Sequence, residues 1–181
     1  MAAPTNNQQP TTNTKLMKIF AKFSLILILC FSLLVGFGAF TSQPAGALME
    51  KTYEAPGQVL YKSRHSLRDR SGNAWQLIFF KRSTDTEVLS ISLRLVGFPG
   101  VVEVAHPQPL KLITDSGEFI AEDMFAQESP APNVGQYDLK DILFDLPTTG
   151  SIRLLIPNEK NDYPLRLPPS LVLEWQNLVN F

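Results

Sequence analysis

Residues 88–96 read VLSISLRLV, placing Leu89, Ile91, Leu93 and Leu95 on one side of an extended chain and Ser90, Ser92 and Arg94 on the other. Strict two-residue alternation marks a strand with one face in a core and the other toward water. Such a strand cannot stand alone. It needs neighbouring strands and a second layer over its apolar side. The neighbours lie upstream. Trp75–Phe80 (WQLIFF) is apolar on both faces, as a central strand would be, and polar Ser83–Thr86 suits the turn between the two. Val59–Asp69 is strand-like too, with Val59, Tyr61, His65 and Leu67 on one face and Lys62, Arg64, Arg68 and Arg70 on the other. Residues 70–73 then read as a turn, so 58–96 is predicted as a three-stranded antiparallel meander.

Further along, Phe98-Pro99-Gly100 breaks the pattern and Val101–Ala105 is expected as a short strand. Leu110–Thr114 and Glu118–Glu122 flank Asp115-Ser116-Gly117, a hairpin signature. Residues 127–135 read as a loop. Leu139, Ile142, Leu143 and Leu146 have helical spacing between Asp138 and Pro147, which predicts a short helix over 138–146. Ser151–Ile156 is expected as a strand and Leu165–Leu167 as a brief edge strand. Pro168-Pro169-Ser170 opens a terminal helix with Leu171, Trp175, Leu178 and Val179 on one stripe. The fold class is mainly β: a small antiparallel sandwich or open barrel with a short helix and a C-terminal amphipathic helix.

The N-terminal part follows other rules. A polar stretch of 14 residues without a charged side chain precedes Lys15, Lys18 and Lys22, and the 18 residues from Phe23 to Phe40 carry no charge. Ala45-Gly46-Ala47, just after Pro44, has the small residues of a signal-peptidase site. Positive start, apolar middle and small-residue exit are the pattern of a secretory signal peptide. The expected organisation is a disordered leader and signal peptide over 1–47 and a single exported domain over 48–181. An apolar run of this length can also span a bilayer, so membrane contact is expected only through this segment, if it is left uncut. Cys30 is preceded by Leu29, where a lipidation signal needs a small residue, and lies deep in the apolar run. All 17 acidic residues but only 13 of the 16 basic ones follow Ala47, leaving a mildly acidic, cysteine-free domain of formal charge −4. That balance argues against nucleic acid as a partner, and the lack of cysteine removes thiol chemistry.

Catalytic and cofactor signatures are few. The two histidines, His65 and His106, form no metal-binding spacing, and no metal is expected. No nucleophile elbow and no glycine-rich nucleotide loop occurs, so no catalytic residue and no cofactor is assigned. Ser63, His65, Ser66 and Asp69 are close in sequence, yet His65 and Ser66 point to opposite faces of one strand, which speaks against a triad there. The carboxylates Glu118, Glu122, Asp123 and Glu128, and Asp138, Asp141 and Asp145, read as a solvated acidic rim. The stripe Lys62, Arg64, Arg68 and Arg70 is the one candidate partner-binding feature, with Lys81-Arg82 expected beside it. Trp175 is expected in the core.

The export signal, the β-rich domain of this size, QYDLKDIL at Gln136–Leu143 and PPSLVLEWQNL at Pro168–Leu178 together resemble a cyanobacterial family of exported domains of unknown function. The resemblance implies a periplasmic or thylakoid-lumenal address and brings no catalytic residues. The resulting expectation is a non-enzymatic exported module that binds or supports a membrane-associated protein complex. The alternatives are a binder of a small apolar ligand (lipid or pigment) between sheet and C-terminal helix, and a carboxylate-based hydrolase.

Overall fold

The computed structural model describes Met17, Lys22, Ser24, Leu25 and residues 50–180. The first four are helical and belong to a unit over Met1–Gly46; the second unit is Ala47–Phe181. The apolar run after Ser24 and Leu25, Cys30, the expected cut after Ala47 and Phe181 lie outside the described residues. Among the described residues, no helix is long and apolar enough to cross a membrane.

The second unit is built from β1 (Glu50–Ala55), β2 (Gln58–Arg68), β3 (Ala74–Ser83), β4 (Val88–Gly97), β5 (Leu110–Thr114), β6 (Gly117–Ala121), β7 (Val134–Asp138), β8 (Ile152–Ile156), β9 (Tyr163–Leu167) and α1 (Pro169–Asn180). The strands form a five-stranded sheet of order β1-β2-β3-β4-β7 and a four-stranded sheet of order β6-β5-β8-β9, antiparallel throughout. The meander β2-β3-β4 and the β5-β6 hairpin are as the alternation predicts. The architecture is a small sandwich, not a closed barrel.

One core joins the two sheets. Trp75, Leu77 and Phe79 of β3 and Ile91, Leu93 and Leu95 of β4 pack with Leu110 and Leu112 of β5, Ile152, Leu154 and Ile156 of β8, and Leu165 and Leu167 of β9. Each such side chain stabilises the fold by about 1.5–3 kcal/mol on burial. α1 adds Leu171, Val172, Trp175 and Leu178. The Trp175 ring lies flat on Phe79, with centroids 5.1 Å apart and planes 4° from parallel, in the core as expected.

Four local expectations are corrected. Residues 139–146 form consecutive turns instead of a helix: Asp138 ends β7, and Leu139 N–H donates to the Ile91 carbonyl of β4. The segment closes only mixed three- and four-residue turns, though Leu139, Leu143 and Leu146 are buried as their spacing demands. Val101–Ala105 is no strand, because Val104 and Ala105 donate to separate loop carbonyls, those of Pro132 and Pro157. Residues 134 and 135 of the expected loop open β7. A Cβ at Gly135 would lie 2.6 Å from the Tyr137 hydroxyl, so only glycine admits that ring. Finally, β2 stops at Arg68, so Arg70 stands in the turn and not on the strand face.

Candidate interaction surface

The register of the five-stranded sheet fixes which side chains share its outer face. One row runs Glu50–Lys62–Phe80–Ser92–Asp138. The next runs Arg64–Ile78–Arg94–Gln136. Arg82 lies on the other side of the first row, opposite Leu60, and Arg68 is opposite Ala74 at the far end. Alternation within each strand puts these residues on one face because their neighbours fill the core.

The cations of this face differ in how they are neutralised. Lys62 is 3.8 Å from Glu50, and Arg82 meets Glu54 with Nε 2.9 Å from Oε2. Both pairs are partly exposed, and such pairs contribute about 0–1 kcal/mol. Arg68 Nη1 donates to the Gly72 carbonyl at 2.9 Å. Arg64 and Arg94 have no carboxylate within ion-pair distance among the described residues. Arg94 is partly buried. Its guanidinium carbon sits 5.3 Å from the Phe80 ring centroid and 5.4 Å from that of Phe125, and its Nε and Nη2 donate to Gln136 Oε1 at 2.8 and 2.6 Å. Burial, and then the charge of Arg82, pull the Arg94 guanidinium below its ordinary value. Lys81 does not join this face. It points inward, lies over the Tyr61 ring at 5.0 Å and donates to the Val179 carbonyl of α1 at 2.9 Å. Burial lowers its pKa.

Two polar clusters elsewhere involve the histidines. Ser63 and His65, two residues apart on the inner face of β2, converge on Glu174 of α1. Ser63 Oγ donates to Glu174 Oε1 at 2.5 Å, and His65 Nε2 is 3.0 Å from both Ser63 Oγ and Glu174 Oε1. Local sequence could pair Ser63 with His65 but could not supply a glutamate more than a hundred residues away. In a hydrolytic triad the acid and the nucleophile occupy opposite nitrogens of the imidazole. Here one nitrogen faces both, the serine proton points to the carboxylate, and Ser63 is fully buried. The cluster therefore ties α1 to β2. The second cluster holds Asp123 out of the solvated rim expected for it: its side chain is 4% exposed and Oδ2 is 2.7 Å from His106 Nδ1. His106 Nε2 faces the Val134 carbonyl at 3.1 Å.

No group of three or more metal-ligating side chains occurs among the described residues. A surface cleft of about 180 Å³ between residues 100–103 and 158–163 is lined by Val101, Glu103, Asn158, Glu159, Lys160 and Tyr163 together with Gly100. The interface between β3 and α1 is occupied by the stacked rings of Phe79 and Trp175.

A family model described as "Protein of unknown function (DUF3122)" matches residues 47–178. No curated protein and no solved structure matches the chain.

Proposed function

The chain belongs to the DUF3122 family, and from that premise we propose that it is a non-enzymatic exported module that binds a membrane-associated protein complex through the outer face of its five-stranded sheet. The observation that carries this reading is the Arg64–Ile78–Arg94 row, two cations flanking an apolar residue with no carboxylate partner among the described residues. Buried Phe80 and the neighbouring Phe125 hold the Arg94 guanidinium by cation–π contact, which fixes the arginine that this row presents. Lys15, Lys18, Lys22, the uncharged Phe23–Phe40 run and Ala45–Ala47 support export. The resemblance to exported cyanobacterial domains makes the periplasm or the thylakoid lumen the proposed address.

The test is retention by solubilised membranes. Replacing Lys62, Arg64 and Arg68 of the sheet face, together with Arg70 in the adjoining turn, by Gln should reduce co-purification of membrane proteins, most strongly at low salt, where exposed charges are least screened. Unchanged retention of the quadruple variant would end the proposal.

A further inference from the structure

We infer that Arg64 and Arg94 form a fork that seats one carboxylate of an acidic segment on the partner protein, above Ile78 and beside the Phe80 ring. This inference rests on the docking reading above and specifies its chemistry. The first support is spacing. Arg64 of β2 and Arg94 of β4 are aligned through Ile78 of the intervening β3. Their backbones are thus two strand spacings apart, roughly 10 Å, and two arginine side chains bridge that gap to a shared oxygen pair.

The second support is preorganisation. The Arg94 guanidinium lies over the Phe80 and Phe125 rings at 5.3 and 5.4 Å, and Gln136 Oε1 accepts from its Nε and Nη2. Nη1 makes no hydrogen bond among the described residues and remains available. A guanidinium fixed in this way loses little freedom when a carboxylate docks. A partly buried charge without a counter-ion is also costly, and an incoming carboxylate relieves that cost.

The third support concerns the occupant. The face is not uniformly basic: Glu50 and Glu54 line its β1 edge and Asp138 stands on β7. A continuous anionic bilayer surface would meet these carboxylates together with the arginines. A discrete carboxylate on a protein segment reaches the fork and avoids them. Charge complementarity at this scale selects an acidic protein segment.

The full-length chain is titrated at low salt with a synthetic Glu-rich peptide, with its Gln counterpart, and with phosphatidylglycerol vesicles. Side-chain Nε–H resonances of Arg64 and Arg94 report the contact. The Glu peptide should shift both resonances and the Gln peptide neither. Arg64→Gln and Arg94→Gln should each weaken peptide binding by roughly tenfold or more, as expected for losing a hydrogen bond between charged groups. Arg166→Gln, on exposed Arg166 of β9 in the other sheet, should leave it unchanged. Because Arg94 is packed, Arg94→Lys serves as a second variant; it keeps the charge, removes the planar fork and should also weaken the peptide. Vesicle binding without peptide binding, or equal loss in Arg166→Gln, overturns the inference. In the membrane pull-down, normal retention of Arg94→Gln with loss of the quadruple variant overturns the fork and leaves the docking face standing. Retention of the quadruple variant overturns the docking face itself.

Discussion

Asp69 takes four hydrogen bonds where β2 gives way to β3. Oδ1 accepts from the Ser71 and Asn73 backbone N–H groups, each at 2.9 Å, and Oδ2 accepts from Asn73 Nδ2 at 2.9 Å and Trp75 Nε1 at 3.1 Å. Burial alone would raise its carboxyl. The hydrogen bonds from Trp75, Asn73 and Ser71 outweigh burial and hold it below its ordinary value of 3.8. A carboxylate depressed by folding contributes stability above its ordinary value and loses that contribution as pH falls through the folded value. Asp69→Asn is therefore expected to lower stability by about 1–3 kcal/mol at neutral pH. The difference from wild type should narrow in acid below 3.8. Urea unfolding of both proteins at neutral and strongly acid pH checks this; a difference that does not narrow contradicts it. At the same scale, Lys62, Arg64 and Arg68 were legible as a stripe because strand alternation is local. Arg94 was visible on the polar face of its own strand, yet nothing in the local pattern placed it beside Arg64. Phe125 and Gln136 were hidden because they reach Arg94 only through the return of β7.

The behaviour of α1 depends on side chains it does not own. It has no acidic residue in its first turn and no basic residue in its last, the positions where charge would complement the helix dipole. Lys81 supplies a donor to its final turn from β3, and Ser63 and His65 hold Glu174 from β2. Glu174→Ala leaves the buried Ser63 hydroxyl without its carboxylate and should cost about 1–3 kcal/mol. Hydrogen exchange should then speed up over residues 169–180 more than over β3 and β4, since the loss is local to the helix contact. Equal acceleration everywhere would show that the cluster supports the whole core instead. The apolar stripe of this helix was readable from its spacing. Its polar anchoring was not, because the anchors lie about a hundred residues away in sequence. The turns at 139–146 show the converse: helical spacing was present and Leu139, Leu143 and Leu146 are buried by it, but the backbone closes only alternating three- and four-residue turns.

For the molecule as a whole, the proposed export makes a sharp prediction about the N-terminus. N-terminal sequencing of the protein recovered from the exported compartment should begin at Leu48. A chain retaining Lys15–Phe40 in membranes would replace the cleaved module by a tethered one. The sequence by itself determined the strands whose apolar residues alternate, the β2-β3-β4 meander, the β5-β6 hairpin and the buried stripe of α1. Each follows from side-chain periodicity and turn chemistry within a few residues, so each is written locally. Only the tertiary structure decided that β7 returns to pair with β4 after the β5-β6 hairpin, that Asp123 is buried against His106, and that Arg64 and Arg94 share one row. Those outcomes depend on which unpaired strand edge the returning chain meets, and hydrophobic patterning specifies a buried face without naming its neighbour.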